Sequence, residues 1–278
     1  MIEDIILEND QRGISQLRDS LPLNFCDVAA QALYKAQSVL LVTGFYILSA
    51  EKPETDGPPA TVSLGESLLN MGKKVTYATD KYTVNIIKGL INGQEVVEFP
   101  ITNNEESDRF AKNAIDQYMP DVIVSIERCG MSKDGIYRNM RGKDISAYTA
   151  KMDLLFSNHL NTVGVGDGGN EIGMGKFHEK IKIAKQLPDY PTITPTKHLV
   201  ISSVSNWGAW GIIAALSLLF GKNLLPEIET ETQRIKQSVD LGAVDGFSGK
   251  AEYKVDSFDI EKNMEILTKL HKEIIKHE

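Results

Sequence analysis

The 278-residue sequence is poor in cysteine, with only Cys26 and Cys129. Two thiols cannot build a disulfide framework, and these two are not spaced as a metal knuckle, so free thiols in a reducing compartment are expected. Basic runs are missing as well. The 30 Lys and Arg are outnumbered by 38 Asp and Glu, a net charge of −8. With no cationic path for phosphates, nucleic acid is not an expected partner. The longest apolar stretch, Trp207 to Phe220, is too short to span a bilayer and is expected as a buried helix, so no membrane partner is expected either. Met1 to Asp10 carries acidic residues where a signal or transit peptide carries basic ones, which predicts a cytoplasmic setting. No repeat and no low-complexity linker interrupts the chain.

What is present is the composition of a packed globular protein, with 42% apolar and 24% charged residues. Apolar, β-branched runs of strand length occur at Ser38 to Phe45, Lys74 to Thr79, Glu95 to Pro100, Asp121 to Ile126, Thr162 to Val165 and His198 to Val204. Helical patterns lie between them. In Glu105 to Met119, for example, Phe110, Ala111, Ala114, Ile115 and Tyr118 form one stripe, with Asn104 as the expected cap. Strands that are apolar along their whole length and alternate with amphipathic helices predict an α/β fold. It should be doubly wound, with a mainly parallel sheet of about six strands and helices on both faces. Gly72 and Gly93 stand where helices stop, and Ile260 to Ile275 reads as a last amphipathic helix. One domain is expected over 1–278, with a helical segment at 1–37. The polar stretch 128–146 is expected as an excursion over the sheet that could act as a lid.

Ligands of open α/β sheets bind beyond the carboxyl ends of the strands, so candidate chemistry is sought there. After the first strand, PETDGPPA places Asp56 before a Pro pair, either a turn with a helix entry or a functional loop. The fourth strand runs into Glu127, Arg128 and Cys129. The first two are either a structural ion pair or a carboxylate-recognition pair. Cys129 has no histidine nearby in sequence to activate it.

The stretch VGVGDGGNEIGMGKFHE at 163–179 formally contains a dinucleotide fingerprint in Gly164, Gly166 and Gly169. Asp167 and Glu171 would point negative charge at a pyrophosphate, so that reading is rejected. Two carboxylates and Asn170 on a glycine-freed loop suit a hard divalent cation, Mg²⁺ or Mn²⁺. The plainer alternative is a glycine-rich turn with Glu171 in the first turn of a helix. Ser205 and Asn206 read as a helix start whose amides could also hold a substrate carboxylate. Asp245, between glycines, is either a turn residue or a catalytic carboxylate. A phosphate loop and a zinc-type histidine pair are both absent.

Seven motifs carry a resemblance that spans Val39 to Gly249. They are VTGF (42–45), PETDGPP (53–59), IERCG (126–130), NMRGKDIS (139–146), GDGGNEIGMG (166–175), SNWG (205–208) and AVDGFSG (243–249). In this order the sequence resembles the D-glutamate cyclase family in its C-terminal catalytic-domain form. The resemblance implies a carbon–oxygen lyase that interconverts D-glutamate and 5-oxo-D-proline plus water. It also implies that larger animal relatives carry an added N-terminal region and reside in mitochondria.

The chemistry suits a divalent cation, because the α-amine must attack a poorly electrophilic γ-carboxylate. On this hypothesis Glu127, Asp167 and Glu171 hold the metal, and Arg128 or Arg141 holds the substrate α-carboxylate. Asn170, Ser205 and Asn206 would contact substrate, and Asp56 and Asp245 would carry protons. The expected partner is a small amino-acid or carboxylate substrate, with a homo-oligomer left open. Two rivals are a metal-assisted hydrolase or lyase on another small acid, and a non-catalytic small-ligand sensor.

Overall fold

The structure, a computed structural model, describes residues 1–276. The last two positions of the domain expected over 1–278 lie outside the described residues. Six strands form one parallel sheet: β1 (Ser38–Thr43), β2 (Lys74–Thr79), β3 (Val96–Glu98), β4 (Val122–Ile126), β5 (Thr162–Gly166) and β6 (His198–Ile201). Their order is β3-β2-β1-β4-β5-β6. The expected sheet is therefore present, although several strands are shorter than the apolar runs that announced them. Phe45 and Val204 belong to loops, where the chain leaves the ladder to build the carboxyl edge.

Ten α-helices accompany the sheet among the described residues. They are α1 (Ile2–Ile6), α2 (Phe25–Lys35), α3 (Pro58–Asn70), α4 (Val84–Leu90), α5 (Asn104–Tyr118), α6 (Asp153–Ser157), α7 (His178–Ile183), α8 (Ser205–Phe220), α9 (Ile228–Asp240) and α10 (Ile260–Ile275). The two-residue period of a strand sorts the core into two layers. Val39 and Leu41 pack with residues of α2, α3 and α8, whereas Leu40 and Val42 pack with Ala111 and Ala114 of α5 and Leu155 and Phe156 of α6.

The apolar run at Trp207 to Phe220 is the interior helix α8, buried on every side of its first three turns. Its two indoles still find acceptors, Trp207 Nε1 at Asn263 Oδ1 (2.8 Å) and Trp210 Nε1 at Glu231 Oε1 (3.2 Å), as buried indole N–H groups must. The cap of α5 is Asn103 rather than the expected Asn104. Asn103 is the residue with extended backbone, so its Oδ1 can accept from Glu106 N.

In this strand order the chain turns outward in both directions from β1 and β4, so their carboxyl ends face a crevice that no crossover covers. Four segments converge on it. After β1, Tyr46–Ile47 and Lys52–Pro53 pair as a small hairpin that leads to Glu54, Thr55 and Asp56. The C-terminal segment joins this edge, with Thr55 N donating to Val244 O and Val244 N to Pro53 O, both at 2.9 Å. The 128–146 excursion is an ordered β-like cover. Its Cys129, Tyr137 and Ile145 pack on Phe45, and Tyr137 Oη donates to buried Asp153. In segment 1–37, α1, a 3-10 helix at Ile14–Ser20 and α2 are joined by loops, and the loop before Ile14 also reaches the crevice.

Candidate functional site

Glu127 follows the last residue of β4 with φ of 45°. A glutamate gains nothing by itself from left-handed backbone, and strain of this kind persists where the surrounding structure imposes it. Opposite it, Gly57 has φ of 98°, and a Cβ there would lie 2.6 Å from Thr43 Oγ1 and 2.9 Å from Glu127 Cβ. Only glycine lets the Asp56–Gly57 backbone press against the ends of β1 and β4. The result is a buried cluster in which one carboxylate oxygen each from Asp56, Glu127 and Asp167 lies within 4.8 Å of the others.

Asp56 also holds two helices in register. Its Oδ2 accepts from Ser205 N (2.8 Å) and its Oδ1 from Asn206 N (2.7 Å), so it caps α8 from outside that helix. Asn206 reciprocates at α3, its Oδ1 accepting from Gly57 N (2.9 Å) and Ala60 N (3.3 Å). Of the two readings of this helix start, capping or a carboxylate-holding amide pair, the Ser205 and Asn206 amides are taken up by capping from Asp56. Ser205 does not cap its own helix, because its Oγ donates to Glu127 Oε2 at 2.6 Å.

Glu127 and Asp167 of this cluster border a cavity of about 460 Å³. Glu54, Glu127, Asp167 and Glu171 form its acidic wall, Arg12 and Phe247 stand beside them, and Asn139, Arg141 and Lys143 come from the covering excursion. Arg12 Nη1 donates to Asp167 Oδ2 (2.7 Å) and Asp256 Oδ2 (2.6 Å). Burial is the main reason that the carboxyls of Glu54, Glu127, Asp167 and Glu171 all sit above the ordinary range. The Asp56 carboxyl is pushed up to about 7 by burial and then by Asp256, against the hydrogen bonds from Asn206 and Ser205. One guanidinium cannot neutralise so many buried carboxyls, so the site favours protons or a further cation.

The residues expected from sequence are not all brought together. Glu127 and Asp167 lie together, and Asp56 rather than Glu171 is the third member of the cluster. Glu171 lies on the cavity wall with its carboxylate held by Gly168 N (2.8 Å) and Gly169 N (2.7 Å). Asn170 lines the cavity, and its Oδ1 is a buried acceptor without a partner. Arg141 is exposed at the rim and makes no side-chain bond among the described residues.

Asp245 is fully buried, and its two oxygens organise a loop by accepting from Ser248 N (2.8 Å) and Ser257 N (2.7 Å). Arg128 is corrected to a structural position. Its guanidinium, 1% exposed, bonds Gly44 O, Asp80 Oδ2 and Ala150 O at 2.6–2.8 Å, which ties together the loops after β1 and β2. Gly164 and Gly166 lie within β5 and no helix opens at Gly169, so the fingerprint reading fails structurally too.

Arg128→Lys should keep the charge opposite Asp80 but lose the fork that reaches both carbonyls. The expected cost is about 1–3 kcal/mol in urea unfolding, with ligand affinity at the cavity unchanged.

Three residues of the site escaped the sequence reading: Arg12, Glu54 and Asp256. Glu54 had a usable signal, being inside PETDGPP two positions before Asp56. Asp256 and Ser257 have φ of 51° and 69° in the turn before Phe258, a conformation that Asp and Ser do not announce. Arg12 carries no motif at all and arrives from the N-terminal loop.

Fold and crevice together define an α/β protein with a carboxylate-lined cavity at the topological switch point of its sheet. Comparison with known proteins narrows the class. The family described as D-glutamate cyclase-like, C-terminal, matches residues 2–271, and the chain belongs to that family. The human protein named D-glutamate cyclase, mitochondrial, is 32% identical over 212 residues, which is 69% of this chain and 34% of the human protein. The chain thus spans about a third of that relative's length. Among solved structures, an exopolyphosphatase-related protein from Bacteroides fragilis aligns with a TM-score of 0.45 and 10% identity, over 92% of this chain and 60% of that one. A likeness at that level carries no argument here. No helix among the described residues is long and apolar enough to cross a membrane.

Proposed function

We propose that this chain interconverts D-glutamate and 5-oxo-D-proline plus water, as a carbon–oxygen lyase that uses Mg²⁺ or Mn²⁺. The observation that carries the reading is the meeting of Asp56, Glu127 and Asp167 at one buried point beside the cavity. All the donors are hard carboxylate oxygens, which suit a hard divalent ion better than zinc, whose sites are built mainly on Cys and His. These three residues would hold the ion, and when bound it would supply Lewis-acid polarisation of the reacting carboxyl.

The remaining work falls to the chain itself. The cavity must hold the substrate folded, so that the amine reaches its own γ-carbon without a second encounter. Arg141 at the rim is suited to the α-carboxylate, and Asn170 Oδ1, an acceptor lacking any partner, to the ammonium.

Glu54 is the better-placed proton carrier. It lines the cavity, has no side-chain hydrogen bond among the described residues, and its carboxyl is raised by burial and by Asp256. Once ionised, a raised carboxyl is a stronger base than an ordinary glutamate and can take one proton from the ammonium; the nitrogen gives up a second as the lactam forms, and both end on the departing oxygen, which leaves as water. Of the two proton carriers suggested by sequence, Asp56 belongs to the carboxylate cluster and Asp245 is committed to backbone amides on both oxygens. The excursion 128–146 would act as a lid that excludes bulk water. A cytoplasmic setting belongs to the same proposal, supported by two free, buried cysteines.

The test is incubation of the purified chain with D-glutamate, and separately with 5-oxo-D-proline, with Mn²⁺ or Mg²⁺ supplied and products resolved by chiral chromatography. Conversion in either direction that stops on chelation is the expected result. No exchange with either metal would remove the assignment.

A further inference from the structure

Resting on this reading of the cavity as a dicarboxylate site, we infer that Arg12 receives the reacting carboxylate of the substrate, leaving the other carboxylate to the rim. The first observation is how the guanidinium is used. Both Nη1 hydrogens are spent on Asp167 and Asp256. Nε and Nη2 bond nothing among the described residues, yet they are not among the buried polar atoms sealed off without a partner. Since Arg12 lines the cavity, three N–H donors remain open to it, in the fork that matches a carboxylate.

The second observation is that the fork is held in place before any ligand arrives. Its guanidinium carbon lies 4.8 Å from the centre of the Phe247 ring. The loop that delivers it is wound around Asp10, whose Oδ1 accepts from Arg12 N (3.1 Å), Gly13 N (2.7 Å) and Ile14 N (3.1 Å), and whose Oδ2 accepts from Ser15 N (2.8 Å). An arginine anchored at Nη1, stacked on a ring and carried on a braced loop loses little freedom on binding an anion.

Charge gives the third reason. A substrate carboxylate brought up to Glu54, Glu127, Asp167 and Glu171 would be repelled by them. Arg12, through its bond to Asp167, is the cation stationed at that wall, and Arg128 is consumed by Asp80 and two carbonyls. The carboxylate that must lie against the triad is the one that reacts. The α-carboxylate, which survives in the product, then falls to Arg141.

This division predicts a difference between two ligands. Glutarate carries both carboxylates, whereas 5-oxo-D-proline keeps one and presents a neutral lactam oxygen in place of the other. Both would be titrated calorimetrically onto the Mn²⁺-loaded full chain, for wild type, Arg12→Lys and Arg141→Gln. Arg12→Lys keeps the charge beside Asp167 and Asp256 but removes the fork. It should weaken glutarate about tenfold or more while 5-oxo-D-proline changes less than about threefold. Arg141→Gln should weaken both ligands alike, and a Mn²⁺ titration of Arg12→Lys within about threefold of wild type would show the triad intact.

Equal losses of the two ligands in Arg12→Lys, no loss of glutarate, or a wild type that binds no glutarate would each overturn the inference. Arg12-dependent glutarate binding without turnover of D-glutamate would sink the cyclase reading and leave the anion site standing. Turnover with Arg12→Lys indistinguishable from wild type would do the reverse.

Discussion

Glu127→Gln should all but silence the protein and at the same time make its metal-free form more stable. Glutamine keeps the shape, the left-handed backbone and an oxygen to accept from Ser205, so the fold has little reason to change. What it loses is one anionic donor of the triad. Partners that only orient a metal's ligands are already worth about 10–100-fold in affinity, so losing a ligand should cost on the order of a hundredfold or more. Turnover should fall by roughly a thousandfold, comparable to losing a main stabiliser of the reacting oxyanion.

Stability should move the other way. Glu127 is buried beside Glu171, Glu54 and Asp56, whose charges oppose its ionisation. Removing one member of that group should stabilise the chelator-treated protein by about 1 kcal/mol, the usual sign where function has been kept at the expense of stability. Mn²⁺ calorimetry, steady-state assay and urea unfolding in chelator read the three effects. Unchanged Mn²⁺ affinity would place the ion elsewhere, and a less stable metal-free protein would contradict the like-charge account. Asp167→Asn should show the same loss of metal with a smaller gain in stability, because Asp167 also pairs with Arg12.

The second large effect is a dependence of metal-free stability on pH. Asp56 is raised to about 7, and Glu54, Glu127, Asp167 and Glu171 are raised as well, burial coming first for each. Unfolded carboxyls titrate near pH 4. Between that value and the folded one, the native state binds more protons than the unfolded chain, so stability falls as pH rises, by about 1.4 kcal/mol per pH unit for each proton of difference. The contribution is complete below about pH 4 and, for Asp56, lost as pH passes through about 7. Surface carboxyls held low by partners, such as Asp121 through the amides of Gln37 and Ser38, act with the opposite sign but only at pH below the ordinary carboxylate range. They do not mask the trend above pH 5.

A divalent cation binds the deprotonated carboxylates, so its affinity rises over the same interval. Melting temperatures taken from pH 5 to 8 should therefore fall with pH in chelator, and the gap to the Mn²⁺-loaded protein should widen. A metal-free melting temperature that stays level or climbs from pH 5 to 7 would mean that the cluster is not the buried, mutually repelling group described here.

Much of this was legible in order along the chain and little of it in space. β2 was read to the residue because Lys74 to Thr79 is apolar or β-branched after its first position and bounded by a glycine turn. α8 was read as buried because an apolar run without a polar stripe has nowhere else to lie. The cap of α5 was missed by one residue, since Asn103 and Asn104 are chemically equal and only backbone conformation chooses between them. Arg128 and Glu127 show the limit more sharply. They are adjacent in sequence at the end of β4, yet one side chain enters the acidic crevice and the other is buried under the loops after β1 and β2. No pattern of residue types distinguishes those outcomes, because the direction of each side chain is set by the φ of 45° at Glu127 and by the presence of Asp80.

The sequence by itself determined the class of fold, the carboxyl edge where chemistry gathers and the glycine-freed loop that carries Asp167, because periodicity and local backbone preference are properties of neighbours along the chain. The tertiary structure alone decided that Asp56 joins Glu127 and Asp167, that Glu54 lines the same cavity while Asp256 shares Arg12 with Asp167, and that Arg12 arrives from 155 positions away to meet Asp167. Charges act through space and not along the backbone, so the composition of the site is fixed only when strand order and loop packing bring those distant residues together.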